Sequence, residues 1–327
     1  MNMSLFFTDW EGPWILTDFA FELSVTILNN ATFFENLSKY DDYLAYELKK
    51  EGYEAGDTLK LLTPFLVAAG VKNEDVEKLS KLVAKFVPDA KKAMQFLQEK
   101  HKPVVISTSY IQYLKKTAEM IGVKGDLHGT EVDFDKYVLK DNEREKILNA
   151  IDTIASLNNG ELITYLNNFF ENLKKTNAGK IIDEIKAIGG ERKKEIVKRY
   201  VEDFEIDRVI AIGDSISDYK MLEWVKKHGG LAVSFNGNEY ALKHSNFAIV
   251  SDSAISEALI IDLFIKGGIE KIRKFEDEIK NYPNYFKSLF LKSNTKFYFL
   301  DELDYREIVN ESLSMRKKLR GYAGSLG

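Results

Sequence analysis

Asp9 and Glu11 stand one residue apart at the end of the apolar run Leu5-Phe6-Phe7-Thr8, and Gly12 and Pro13 follow them. Alternate residues of an extended segment point the same way, so the two carboxylates converge just past a strand's carboxyl end, where α/β sheets place their chemistry. One carboxylate there can attack while the other handles a proton. A second acidic pair, Asp214 and Asp218, follows the run that ends in Ile212-Gly213. Together with Asp9 they put three acids around one spot, which is unfavourable unless a hard cation sits between them. Mg2+ suits such a site better than Ca2+, because it accepts one or two carboxylates together with phosphate and water. Ser107 and Thr108 end another apolar run just before a helix starting near Tyr110, where a hydroxyl and free backbone N–H groups suit a phosphate oxygen. Gly190-Glu191-Arg192-Lys193-Lys194 opens a further helix and supplies a cation that offsets both nucleophile and phosphate. Taken singly, these pieces are also what ordinary helix caps and a lysine-rich surface provide.

The elements that must position these residues are legible as alternation. Leu5 to Thr8, Val104 to Ser107, Arg208 to Gly213 and Leu231 to Phe235 read as buried strands, and Asp126 to Phe134 as a weaker fifth. Helical segments at Asp89 to Lys100, Lys193 to Phe204 and Asp218 to Lys227 precede the last three of the four, which predicts an α/β fold with a doubly wound parallel sheet. Residues 15–88 carry helical periodicity in pieces, Phe19 to Asn29, Phe33 to Lys50, Thr58 to Ala69 and Asn73 to Phe86, and read as a helical cap inserted after the acidic loop. A second helical insertion covers about 141–188, with breaks at Asn158 to Gly160 and Asn177 to Gly179, and reads as a lid or a packing extension. The catalytic core is thus expected over 1–14 and 89–252, and a C-terminal helical extension over 253–327. Within that extension a charged helix is expected from Glu302 to Arg320. Its Arg316-Lys317-Lys318-Leu319-Arg320 cluster reads as a solvated helix end, or as a surface for an acidic protein partner.

Composition narrows the function classes. The chain has 327 residues, 45% hydrophobic and 30% charged, enough for a sizeable core with large insertions. With no cysteine, thiolate metal sites and cysteine nucleophiles are excluded, and the four histidines show no metal-ligand spacing. Net charge is -5 and the lysines are interleaved with acids, so nucleic acid is not an expected partner. No signal peptide or membrane span is read, and the expected location is cytoplasmic.

The order of the motifs, Asp-x-Glu-Gly after the first strand, Ser after the second, Lys at a helix start, then Gly-Asp-Ser-x-x-Asp, resembles that of the haloacid dehalogenase-like hydrolases over about residues 3–14 and 89–252. The resemblance implies a Rossmann-like core and a Mg2+-dependent phosphatase acting on a small phosphorylated metabolite. It makes Asp9 the nucleophile that forms an aspartyl-phosphate, and Glu11 the general acid and base, with its main-chain carbonyl on the metal. Ser107, with Thr108, would bind phosphate. Lys193 would neutralise charge, with Lys194 as the alternative. Asp214 would be a metal ligand, and Asp218 would support the metal shell and the lysine. Glu11 departs from the family's usual Asp, and Pro13 from its usual Thr. The helical insertion resembles the C1-type cap of phosphoserine phosphatase-like members, which makes Asp18 a candidate substrate-reading acid. No arginine precedes Arg144, so the cap lacks a guanidinium for a substrate carboxylate. The stretch Asp9 to Trp14 also resembles an archaeal branch named as subunit R of an energy-converting hydrogenase. That branch implies an accessory role in a larger complex, an alternative left open here beside a phosphotransferase or mutase.

Overall fold

The computed structural model describes residues 4–54, 56–204 and 207–325. Strand β1 (Ser4–Thr8) leads into a helical tract made of α1 (Phe19–Thr26), α2 (Ala31–Asp42), a π-helical turn at Tyr43–Glu47, α3 (Thr58–Ala68) and α4 (Asn73–Val83). The alternating core resumes with α5 (Ala90–Leu97), β2 (His101–Tyr110), α6 (Ile111–Ile121) and β3 (Asp126–Thr130). A second tract, α7 (Asp141–Ser156), α8 (Asn159–Leu173) and α9 (Asn177–Glu184), precedes α10 (Gly190–Phe204), β4 (Ile210–Gly213), α11 (Tyr219–Lys227) and β5 (Leu231–Phe235). The chain closes with α12 (Glu239–His244), β6 (Phe247–Ser251), α13 (Ile255–Gly267), α14 (Ile269–Arg273), α15 (Phe275–Glu278), α16 (Asn284–Lys292), β7 (Thr295–Phe299) and α17 (Val309–Arg320).

The seven strands form one sheet in the order β3-β2-β1-β4-β5-β6-β7. All neighbours pair in parallel except β6 and β7, which are antiparallel. Because helices cover both faces, β1, β4 and β5 are buried throughout or nearly so, which is why each reads as an unbroken apolar run. Strand order reverses between β1 and β4. The carboxyl ends of these two strands therefore diverge into helices on opposite faces and leave a crevice, the place where such sheets bind ligands.

Several elements differ from expectation for identifiable reasons. β6 and β7 were not anticipated, so the segment after residue 252 is not purely helical. β6 is a fully buried five-residue run, and β7 caps the sheet edge with Phe297 and Phe299 packed on Phe247. The weak fifth strand stops at Thr130, not Phe134. The helix expected from Phe33 to Lys50 leaves α-geometry after Asp42, and the last helix begins at Val309, after a 3-10 turn at Tyr305–Glu307.

The second helical tract packs on the first. The Asn36 side-chain amide donates to the carbonyls of Ile154 (2.8 Å) and Leu157 (3.0 Å), Tyr40 donates its hydroxyl to Asn167 (2.8 Å), and Phe65 stacks on Phe169 at 5.7 Å. Residues 141–188 thus pack on the helices that follow β1.

One core position works against the fold. Glu257 on α13 is fully buried, and neither carboxylate oxygen has a hydrogen-bond partner among the described residues. Burial raises its pKa well above the ordinary carboxylate range. The unfolded chain releases this proton at lower pH than the folded one, so the cost to stability grows as pH rises. Glu257→Met removes the unpaired polar group at similar volume. Chemical denaturation should show a gain of about 1–3 kcal/mol near pH 8 and a smaller gain near pH 4.

Candidate active site

The loop after β1 is held by its two tryptophans. Trp10 is fully buried and donates its indole N–H to Thr117 (2.8 Å), while Trp14, also fully buried, donates to Thr8 Oγ1 (2.9 Å). The Asp9 backbone N–H donates to the Ile212 carbonyl on β4 (2.8 Å), fixing the ends of β1 and β4 together. Asp9 Oδ1 accepts from the Trp10 backbone N–H (2.7 Å) and faces Lys193 Nζ at 3.0 Å. Oδ2 has no hydrogen-bond partner among the described residues. Gly12 allows the loop to close over Asp214: its φ is +105°, and a Cβ there would lie 2.1 Å from Asp214 Oδ2.

Glu11 lies on the cavity wall, where the backbone N–H of Phe19, at the start of α1, donates to Oε1 (3.2 Å). Burial, reinforced by Asp18 and opposed by Arg320, pushes Glu11 up to about 8, so it carries its proton at neutral pH. Asp18 caps α1 by accepting from the Phe21 N–H (3.0 Å) and also lines the cavity. One side chain thus combines a helix-capping role with a place on the cavity wall.

β2 bulges where its hydroxyls are needed. Its pairing with β3 skips from Ile106↔His128 to Tyr110↔Thr130, which pushes Ser107, Thr108 and Ser109 out of regular register. All of these line the cavity. The Ser109 N–H donates to Ser107 Oγ (3.1 Å), while Thr108 Oγ1 is buried without a partner among the described residues.

Helix phase settles which lysine reaches the site. Lys193 is fully buried and contacts Asp9 (3.0 Å) and Asp218 Oδ1 (2.6 Å), whereas Lys194 lies on the outer face with Glu191 and Glu195. The alternative assignment to Lys194 is therefore corrected. Although burial alone would lower it, Lys193 is raised above the ordinary lysine range by Asp218 and Asp9. Asp218 is fully engaged: Oδ2 accepts from the backbone N–H groups of Asp214 and Ser215, each at 3.0 Å. It braces both the lysine and the loop that carries Asp214.

The expectation for the C-terminal arginines is overturned. Arg316 and Arg320 are not at a solvated helix end: their side chains are 3% and 6% exposed, and both pair with Asp214 Oδ2, Arg320 at 3.1 Å. Arg316 also donates to the Asp214 carbonyl (3.2 Å), and Arg320 donates from Nε to the Leu16 carbonyl (3.1 Å). A sequence signal existed. Ser312, Met315, Arg316, Leu319 and Arg320 follow helical i, i+3, i+4 spacing, and Ser312 and Met315 are buried.

These groups surround one cavity of about 150 Å³. Asp9, Glu11, Ser107 and Asp214 form its core side; Asp18, Ser38, Asp41, Asp42 and Thr58 form its helical side; Arg316 and Arg320 complete it. Burial pushes Asp41 up to about 7 and Asp42 to about 6. A divalent cation fits the donor set. Carboxylate oxygens of Asp9, Asp214 and Asp218 lie within 4.8 Å of one another, all three are buried, and burial with the neighbouring Asp218 and Asp214 raises Asp9 well above its ordinary range. Hard oxygen ligands at that spacing suit Mg2+.

Sequence comparison then decides the family. The haloacid dehalogenase-like hydrolase family matches residues 79–259. The chain belongs to the haloacid dehalogenase-like hydrolases. A gene product of Archaeoglobus fulgidus, of solved structure, is 52% identical with a TM-score of 0.90, and the alignment covers 100% of this chain and 99% of that one. More distant likenesses are a phospho-aspartyl intermediate analogue of phosphoserine phosphatase (14% identity, TM-score 0.48, covering 76% and 93%) and a family hydrolase from Salmonella enterica serovar Typhi (12%, 0.48, covering 75% and 67%). No curated protein matches. In this hydrolase, Gly12→Ala should force the loop off Asp214 and strain a positive-φ residue, lowering stability by about 1–3 kcal/mol in chemical denaturation.

Proposed function

We propose that the protein is a Mg2+-dependent phosphatase of small phosphate monoesters that works through an aspartyl-phosphate. The observation that carries this reading is the convergence of Asp9, Ser107 and Asp214 on one cavity, with Lys193 bound to Asp9 behind its wall, from four separate segments. With Oδ1 tied to the Trp10 N–H and Lys193, Oδ2 of Asp9 is the oxygen left to attack phosphorus. The Oδ2–P bond forms as the P–O bond to the leaving alcohol breaks, and Glu11 gives its proton to that departing oxygen. Glu11, now a carboxylate, takes a proton from water. The water oxygen bonds to phosphorus, the Asp9–P bond breaks, and inorganic phosphate leaves with Asp9 restored.

Lys193 holds charge against the phosphoryl oxygens, and the Ser107 hydroxyl with the N–H groups of the bulge orients them. Held by Asp9, Asp214 and the Glu11 carbonyl, Mg2+ would supply further electrostatic stabilisation of the transferring group. Asp218 keeps Lys193 and Asp214 in place. The Phe19 N–H holds the longer Glu11 side chain at the start of α1, which accommodates the extra methylene relative to the family's usual Asp.

A panel of phosphate monoesters assayed with and without Mg2+ tests the reading. Turnover should require the cation, vanish in Asp9→Asn, and fall by about 10²–10⁴ in Glu11→Gln. Turnover unaffected by Asp9→Asn, or absent from every ester, would overturn it.

A further inference from the structure

We propose that Arg316 and Arg320, carried by the C-terminal helix, bind the substrate's phosphoryl group alongside Lys193 and Ser107. The assignment rests on the phosphatase reading of the same cavity. Each guanidinium spends only part of its donor set on the protein. Arg316 uses Nε on the Gly324 carbonyl (3.1 Å) and Nη1 on Asp214; Arg320 uses Nε on the Leu16 carbonyl (3.1 Å) and Nη1 on Asp214 (3.1 Å). Nη2 of each arginine has no hydrogen-bond partner among the described residues, and both arginines line the cavity. Two planar donor groups, more than nine-tenths buried and with an open edge on a cavity, are suited to an oxyanion.

The distribution of charge says which anion they meet. The helical wall carries Asp18, Asp41 and Asp42, which disfavour an anionic leaving group on that side. Both arginines instead grip Asp214, which belongs to the end of the cavity that holds Ser107 and Asp9 with its partner Lys193. At that end three carboxylates, Asp9, Asp214 and Asp218, face three cationic side chains, Lys193, Arg316 and Arg320. Charge there is balanced before any ligand arrives. A site so balanced does not repel an incoming phosphate, and the free Nη2 groups take its oxygens.

The experiment uses the full chain, freed of metal with a chelator, and titrates it calorimetrically with inorganic orthophosphate; Mg2+ is titrated separately. Wild type should bind orthophosphate without metal. Arg320→Gln should weaken that binding at least about tenfold, the equivalent of one charge-assisted hydrogen bond. Arg320→Lys should recover only part of it, because charge returns without the planar fork. Arg316→Gln is expected to act in the same direction; since Arg316 is the more deeply packed, thermal unfolding checks that each variant is folded, and the Arg320 pair decides if Arg316→Gln is not. Orthophosphate affinity unchanged in Arg320→Gln would overturn the proposal even if Mg2+ affinity moved, for the arginines would then act only on Asp214. Failure of wild type to bind orthophosphate without metal would overturn it too. Arginine-dependent phosphate binding with no ester hydrolysed would leave this proposal standing and remove the phosphatase reading.

Discussion

Asp9, Asp214 and Asp218 keep carboxylate oxygens within 4.8 Å of one another where water is largely excluded, and unit charges at such spacing repel by roughly 3–4 kcal/mol per pair even at an effective dielectric of 20. Everything near the ends of β1 and β4 answers this repulsion. Lys193 sits between Asp9 and Asp218, backbone N–H groups of the β4 loop fill the other oxygen of Asp218, and two guanidiniums converge on Asp214. No single partner suffices, since a buried charge is tolerated only when both its Coulombic and its hydrogen-bonding requirements are met. The cations come from helices far apart in sequence, α10 and α17. The site therefore exists only when the core sheet and the C-terminal helix are folded together.

That charge problem explains the local backbone as well. Asp214 can lie against the β1 loop only because Gly12 has no Cβ, and Asp218 can fold back under the β4 loop only because Gly213 has none: a Cβ there would lie 2.5 Å from that of Asp218. The tryptophans flanking the acidic pair serve the same end. By locking their indole N–H groups onto Thr117 and Thr8 they stop the loop from relaxing away from its like-charged neighbours. Preorganisation of this kind costs stability in the empty site and places dipoles and charges before a substrate arrives.

What the sequence disclosed follows from what periodicity can carry. Three of the strands buried on both faces, β1, β4 and β5, announce themselves as unbroken apolar runs, and the motif acids follow directly from the ends of β1 and β4, whereas the equally buried β6 was missed. β7 gave no such signal because it is an edge strand, half-buried, with Lys296 and Tyr298 alternating with its apolar residues. Lys193 and Lys194 are equivalent in composition; only the rotation of about 100° between successive helix positions separates a buried cation from a surface one. Arg316 and Arg320 were hidden for a related reason. Guanidiniums on a helix read as solvated unless the partner acid is known, and Asp214 lies about a hundred residues upstream.

The lack of an arginine before Arg144 takes a different meaning in this light. The helices that follow β1 contribute acids to the cavity wall, and the guanidiniums arrive instead from the far end of the chain. α17 and the turn after it also touch these helices and the loop before them: Tyr322 packs on Phe21 at 5.6 Å and hydrogen-bonds Glu35, while Arg320 holds the Leu16 carbonyl. Ser312, on the same helix, donates to the Gly237 carbonyl of the core (2.7 Å). This helix and the turn after it thus touch both walls of the cavity and join the helices after β1 to the β4 loop. The cavity is polarised as a result, with acids and cations paired toward β1 and β4 and acids alone toward α1 and α2. Under the phosphatase reading proposed above, an ester whose alcohol carries hydrogen-bond donors would match that polarity with its phosphorus over Asp9.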